Sequence, residues 1–313
     1  MECNLISFRL IKTTKITIST HKRLDKFLKE KYTSLTQAFI EKSIRKKDIL
    51  INDTKSSSNY ILKKNDVIKI KNFHQDKYKN RIHFNKVKKI NQELIEKFNK
   101  SIIFQNNNFL ILNKWSLIAT QGGSKINISI DDIIKNLSDS YKLVHRLDKE
   151  TSGLLIIAKN LKYAKYFSTL FKQKHIKKFY IALCEGTPKN KTSQVNLSIK
   201  NKKLKTENSV TNYKLLNTKN GISQLLYNPK TGKTHQLRIV SKNLGCPIIG
   251  DKKYNALSKL RKEKLMLHAY SLKFSINNKL VEYVADLPDH FTTFIKKNNL
   301  TLIKNFKTYL DSF

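Results

Sequence analysis

The chain has 313 residues and 39% hydrophobic content, enough for about two domains with buried cores. Sixty-two Lys and Arg against 23 Asp and Glu leave a formal charge of +39, which favours a polyanionic partner over an acidic protein or an apolar membrane face. No apolar run reaches the roughly 18 residues of a membrane-spanning helix, and the start MECNLISFRLIKTTK lacks a secretory pattern. Cys3, Cys184 and Cys246 are too few and too scattered for a disulfide framework or a zinc knuckle, so a cytoplasmic protein without disulfides or structural zinc is expected. Richness in Lys, Asn and Ile, as an AT-rich genome produces, accounts for part of the charge. Against that background the seven arginines (Arg9, Arg23, Arg45, Arg81, Arg146, Arg238 and Arg261) mark positions where a planar, bidentate cation is wanted.

All eight Gly and all four Pro lie between Gly122 and Pro288, which divides the chain into two modules. In the first, over 15–70, the alternation Ile16, Ile18 precedes Leu24, Phe27 and Leu28 at helical spacing. Thr33 or Ser34 is expected to cap a second helix carrying Leu35, Ala38, Phe39 and Ile44; Ile49-Leu50-Ile51 with Val67, Ile68 and Ile70 reads as a small hairpin region. Residues 71–100 mix Lys with Asn and Gln without steady periodicity and read as a basic linker. The first module resembles an S4 domain, a small RNA-binding fold, through Arg23-Leu24-Asp25-Lys26-Phe27-Leu28, the basic helix with Lys42, Arg45 and Lys46, and Ile49-Leu50-Ile51-Asn52. It departs from that pattern in placing Lys47-Asp48 and Asp53-Thr54 where turn glycines are usual. The resemblance implies RNA contacts from Arg23, Lys26, Arg45 and Lys46, on a basic face suited to a phosphate backbone.

The second module, over 101–292, opens with the apolar strand Phe109 to Lys114 and a loop containing Gly122-Gly123; a short helix begins at Asp131-Asp132. Its most informative stretch is His145-Arg146-Leu147-Asp148-Lys149-Glu150-Thr151-Ser152-Gly153, followed by the strand Leu154 to Ala158 and a helix from Leu161 to about Lys174. Such a turn can hold a carboxylate at the mouth of a cleft, and Asp148 is the candidate. In the strand Lys177 to Leu183, Phe179, Ile181 and Leu183 share one face and Tyr180 the other. Pro229 to Val240 runs from a turn into a strand or a helix that carries Arg238. Taken singly, Asp148 reads as a turn carboxylate, Tyr180 as an amphipathic core residue and Arg238 as one half of a surface ion pair.

Together these segments resemble the RluA-type family of pseudouridine synthases over nearly the whole chain. The carriers are the motif from His145 to Gly153, Lys178-Phe179-Tyr180, Gly232-Lys233-Thr234-His235-Gln236-Leu237-Arg238, and Gly245-Cys246-Pro247-Ile248-Ile249-Gly250-Asp251 with Leu267-His268-Ala269. The S4-like module and Gln121-Gly122-Gly123 are similar to the subgroup acting on large-subunit ribosomal RNA; Trp115 stands where the family usually has Pro. The resemblance implies an α+β protein, an S4-like module plus a catalytic domain on a mixed, mainly antiparallel sheet, and a Lys-rich segment over 293–313 whose form is left open. It also implies isomerisation of uridine without any cofactor: Asp148 as nucleophile, Arg238 pairing with it, and Tyr180 stacking on the base and assisting proton removal from C5. Arg146 would fill the gap left by the extruded base, with His235 and Gln236 lining the RNA side of the cleft. The expected partner is RNA, with neither membrane nor small-molecule cofactor; oligomeric state is not legible. Three other readings stand: a transfer RNA target, a non-catalytic RNA-binding ribosome-assembly factor, and a metal hydrolase using His145, His235, His268 and Asp148, whose spacing speaks against it.

Overall fold

The structure is a computed structural model and describes residues 13–19, 21–71, 73, 77–78, 90–123, 126–200 and 205–301. It divides into two compact units, Met1–Lys86 and Val87–Phe313, and each is built around its own core.

In the first unit β1 (Thr14–Thr17) is followed by α1 (Leu24–Lys31), α2 (Gln37–Arg45), β2 (Ile49–Ile51) and β3 (Val67–Ile70). The strands form an antiparallel sheet in the order β1-β3-β2, with Ile16 opposite Ile68 and Ile49 opposite Ile70. Leu24, Leu28, Ile40 and Ile44 from the helices close over Ile49, Ile51, Ile68 and Ile70. The cap of α2 is Thr36, whose hydroxyl accepts from Phe39 N at 3.2 Å, and not Thr33 or Ser34 as the sequence suggested. At two positions where glycine was expected, Lys47 and Asp53, the backbone still turns left-handed (φ 62° and 61°), and Asn52 beside Asp53 does so at 48°. Asn and Asp accept that conformation more readily than most residues, so part of this turn survives without glycine.

The supposed basic linker is structured at both ends. Phe73 stacks on Tyr78 at 4.8 Å; Tyr78 belongs to the core of the first unit and Phe73 packs against it. In the second unit α3 (Gln92–Lys100) is capped by Asn91 and buries Phe98 completely. The correction has a simple cause: Leu94, Ile95 and Phe98 lie on one helical face, and the surrounding Lys, Asn and Gln only dilute that signal. Residues 79–89 lie outside the described residues.

After α3 come β4 (Ile102–Gln105), β5 (Phe109–Lys114), α4 (Ile130–Leu137), β6 (Lys142–Leu143), β7 (Ser152–Ala158), α5 (Leu161–Lys172), β8 (Lys177–Glu185), β9 (Thr192–Lys200), β10 (Thr206–Lys219), β11 (Ile222–Pro229), α6 (Gln236–Asn243), β12 (Leu267–Ile276), β13 (Lys279–Val284) and α7 (Asp289–Lys297). Among the described residues ten strands make one sheet in the order β4-β5-β7-β12-β8-β11-β10-β9, with β13 added to β12 and β6 to β7. The sheet is mixed and mainly antiparallel, and the pairing of β7 with β12 is its parallel joint, with Ser152 beside His268 and Gly153 beside Ala269. β7 is buried along its whole length, as a strand covered on both faces must be. α4, held at its start by a reciprocal capping box between Ser129 and Asp132, buries Ile130, Ile133 and Ile134 against one face. Phe167 of α5 packs on the other face with Phe109 and Phe274. α7 buries Phe291, Phe294 and Ile295, so this helix crosses the boundary expected at residue 292; residues 302–313 lie outside the described residues.

Gly153 is the residue that permits the parallel joint. It sits at φ +108°, and a Cβ there would stand 2.2 Å from the carbonyl oxygen of Ala269. Gly153→Ala therefore combines a disfavoured conformation with a backbone collision. It is expected to lower Tm by on the order of 10 °C or to abolish soluble yield, as read by differential scanning fluorimetry.

Candidate active site

Residues 144–151 pass from β6 to β7 as a loop whose last turn closes through Thr151 N to Asp148 O at 3.1 Å. The loop is fixed at both ends. His145 Nε2 accepts from Ile156 N at 2.8 Å while its ring stacks on Phe171 at 4.5 Å, and Ser152 Oγ meets His268 Nδ1 at 2.9 Å. Burial drives both imidazoles down to about 3, so they serve the fold as neutral rings. Among the described residues no cluster of three His, Cys, Asp or Glu is arranged to hold a metal ion.

Between these anchors the loop presents Arg146 and Asp148 to a cavity of about 130 Å³, whose walls include Lys178 and Tyr180 of β8, His235, and Arg238 of α6. That volume admits a single flat group and not a length of duplex. Tyr180 and Lys178 are two residues apart on one strand and share its cleft face, opposite buried Phe179 and Ile181, as the alternation indicated. Burial, and then the negative charge of Asp148, raises the Tyr180 phenol well above its ordinary value, so it is a neutral hydroxyl at physiological pH. Lys178 is pushed down to about 8 by burial and by Lys174. Sequence reasoning quoted Lys178 as part of a motif without assigning it to the site; its period-two relation to Tyr180 was the available signal.

The expected ion pair takes a different form. Arg238, 4% exposed on the first turn of α6, gives its fork to Asp251: Nε donates to Oδ2 at 2.7 Å and Nη2 to Oδ1 at 2.6 Å. Its third nitrogen, Nη1, lies 3.5 Å from Glu150. Asp148 is thus not held bidentately by Arg238; it feels that cation at longer range, and Asp148 Oδ2 stands 3.9 Å from His235 Nε2. Asp251 prevails because it is fully buried and already organised: its Oδ1 also accepts from Lys253 N and Tyr254 N, both at 3.0 Å. Burial alone would raise the Asp251 carboxyl, but the Arg238 fork and the Tyr254 and Lys253 amides outweigh it and hold the group below the usual carboxylate range. The preceding Gly250 (φ +77°) fits because a Cβ there would come within 2.3 Å of Lys264 O.

His235 is the left-handed N-cap of α6 (φ 56°), with Nδ1 3.1 Å from Tyr254 Oη. Burial lowers its pKa, against the opposing pull of Asp148, so the ring facing the carboxylate is mainly neutral. Gln236 borders the cavity, but its amide is fully committed to the turn. Oε1 accepts from Thr231 Oγ1 (2.8 Å) and Lys233 N (2.9 Å), and Nε2 donates to Val210 O (3.1 Å) and Thr211 Oγ1 (2.9 Å). Gln236 is a clamp joining the motif to β10 in place of the RNA contact expected. In the first unit, Lys26, Arg45 and Lys46 are exposed as a phosphate contact requires, whereas the Arg23 fork goes to Asp25 (Nε at 3.1 Å, Nη2 at 2.7 Å).

Lys114 was not singled out from sequence. It is fully buried at the end of β5, and its Nζ donates to the carbonyls of Ile118 (3.0 Å), Trp115 (3.1 Å) and Lys149 (3.4 Å). Ser116 Oγ donates to Glu150 O at 2.7 Å, and Thr120 Oγ1 donates to Leu147 O at 2.7 Å while accepting from Leu147 N at 3.1 Å. The 115–120 loop is thereby stitched to residues 147–150 on either side of Asp148. Burial pushes Lys114 down to about 7, with Asp148 pulling it the other way. Within this loop Leu117 is left-handed (φ 71°) and 54% exposed, a conformation that costs a residue with a Cβ roughly 1–2 kcal/mol.

Residues 108–243 match the model of the RNA pseudouridylate synthase family. The chain is 37% identical over 291 residues to the ribosomal large subunit pseudouridine synthase C of Rickettsia typhi, covering 86% of this chain and 95% of that one. It is 39% identical over 298 residues to the protein of the same description from Rickettsia felis, covering 86% and 94%. In fold it is similar to human RNA pseudouridylate synthase domain containing 4, with a TM-score of 0.59 at 24% identity over 67% of this chain and 97% of the other. The chain belongs to the RNA pseudouridylate synthase family.

Two outcomes follow from the bonds around the cleft. Lys114→Met leaves three carbonyls without their donor, at about 1–3 kcal/mol for each that stays buried, and is expected to lower Tm by on the order of 10 °C. For Asp251 the native pKa lies below the unfolded one, so between the two the unfolded chain binds more protons. The stabilisation is present above about pH 4 and lost as pH falls through the native value. Asp251→Asn, which breaks a buried pair worth roughly 3–5 kcal/mol on removal of one partner, should lower Tm at neutral pH by an amount that shrinks as both proteins are acidified below about pH 4. Thermal melts of the two proteins across that range check both the size and the direction.

Proposed function

We propose that this protein isomerises uridine to pseudouridine in large-subunit ribosomal RNA, with Asp148 as the nucleophile. The observation that carries the reading is the cleft in which the Asp148 loop, Tyr180 and the Arg238 helix meet, in a chain whose relatives are described as large-subunit enzymes over nearly their full length. The target uridine leaves its stack and enters the cavity as a single base, with Arg146, exposed at the rim, placed to fill the gap. Asp148 attacks the nucleotide, the N1–C1′ bond breaks, the uracil turns, and a C5–C1′ bond forms. The C5 proton then passes to solvent, N1 gains one, and the carboxylate is released, so the change is an isomerisation that needs no cofactor.

The neutral Tyr180 phenol suits stacking against the base and donating a hydrogen bond better than accepting the C5 proton. Arg238 acts from a fixed position: locked to Asp251, it supplies positive potential near Glu150 and Asp148 without closing on the nucleophile. Lys149, Lys252 and Lys253 line the mouth beside Arg146 and give it the charge a phosphate backbone requires. The 15–70 module, read as an S4-like domain, adds RNA affinity through Lys26, Arg45 and Lys46. A ribosomal RNA substrate supports a cytoplasmic location for this work.

The test is release of tritium from C5-labelled uridine in a large-subunit ribosomal RNA transcript, with transfer RNA as the competing substrate. Wild type should release label from the ribosomal transcript. Asp148→Asn should reduce release to background while its Kd for the RNA stays within about threefold, because many phosphate contacts dominate affinity. Release from transfer RNA alone would move the substrate, and tight binding with no release from either RNA would make the protein a non-catalytic RNA-binding factor.

A further inference from the structure

The 115–120 loop carries a group of features that the chemistry at Asp148 leaves unused. Trp115 is the single tryptophan of the chain, and its ring is only partly buried. Lys97, in the last turn of α3, holds its ammonium 5.1 Å from the centre of that ring. Two residues on, Leu117 projects a large apolar side chain into solvent from a left-handed backbone. The loop cannot drift away from the catalytic turn, because the Lys114 and Ser116 bonds tie it to the backbone of Lys149 and Glu150. On its other side Lys97 borders a groove of about 520 Å³ shared with Asn91, Glu93, Leu94 and Ile128. Packing within the fold does not call for an exposed leucine in a strained conformation, and strain that persists on a pinned loop beside a reactive centre is characteristic of ligand clamps.

We propose that the Trp115–Leu117 turn and Lys97 dock one unpaired nucleotide flanking the target uridine, its base against Leu117 and the edge of Trp115 and its phosphate on the Lys97 ammonium. The inference rests on the proposed RNA substrate and extends it to the neighbour of the reacting base. A base splayed from its stack offers an apolar face and a charged phosphate a few ångströms apart, and the loop offers the complementary pair. The strand is thereby gripped beside the point at which the uridine leaves it.

The tryptophan makes the test direct, since all indole emission reports on this loop. The probe is a fluorescein-labelled ribosomal RNA fragment containing the uridine that the tritium assay maps; binding is followed by anisotropy and, with the unlabelled fragment, by Trp115 emission and its protection from acrylamide. Saturating RNA is expected to change the emission and shield the ring. Leu117→Gly should raise KM for the fragment roughly tenfold, the scale of one lost apolar side-chain contact, with kcat at saturation changing far less. The same variant relieves the left-handed strain and should melt at a temperature equal to or above wild type, so weakened binding cannot be ascribed to unfolding. Lys97→Ala should reduce the slope of log Kd against log salt by about one phosphate contact. RNA that binds and is turned over with unchanged Trp115 emission, or a Leu117→Gly protein with wild-type KM, overturns the docking role and leaves the enzyme reading intact. RNA that neither binds nor releases tritium overturns both.

Discussion

The geometry around Asp148 depends on a buried lysine. Lys114 ends strand β5 with no exposed surface, and its three donors go to carbonyls in two different loops. A lysine nitrogen in a dry interior is costly unless its hydrogens are bonded, so each carbonyl both satisfies the lysine and is fixed by it. The 115–120 loop and the turn that carries Asp148 are therefore tied to each other and to the sheet. Thr120 and Ser116 repeat the connection on either side, and the result is a carboxylate whose position is set by backbone bonds, with none of them needing to touch the carboxylate itself.

The same division between holding and reacting groups recurs across the cleft. Arg238 is oriented by Asp251, Asp251 by the amides of Lys253 and Tyr254, and the turn leading to Arg238 by Gln236. His145 and His268 are driven neutral and bonded to Ile156 N and Ser152. Several motif residues that attract attention as reactive groups are thus engaged in holding the fold, while Arg146, Asp148, Lys178, Tyr180 and His235 border the cavity.

What the sequence disclosed followed from how local each feature is. The loop with Asp148, the face of Tyr180 and the helix of α5 all depend on neighbours within a few residues, and period and turn chemistry expose them. The partner of Arg238 does not, since Asp251 prevails over Asp148 only once both ends of the 238–251 segment are folded and buried. Lys114 was missed for a related reason: at the end of an apolar strand a lysine normally marks the return to solvent, and only the two loops that fold over it reverse that reading. α3 carried a readable helical face in Leu94, Ile95 and Phe98 that its Lys and Asn content obscured. The cap of α2 was displaced by two or three residues, where several hydroxyls in succession could each have served.

The parallel pairing of β7 with β12 bears on how the protein is made. It joins Ser152 to His268 across 116 residues, and β12 must also reach β8 before the cleft has its floor. Contacts that distant carry a large loop-closure cost, so the sheet closes late and slowly compared with the hairpins on either side. On a translating ribosome the Asp148 loop emerges well before β12, and during that interval β7 presents an apolar strand with its hydrogen-bonding edge unpaired. Among the described residues the strands of the first unit find their partners within residues 14–70, so that sheet needs no distant segment to close. In this chain the first unit has its strand partners while the second is still waiting for its last central strand.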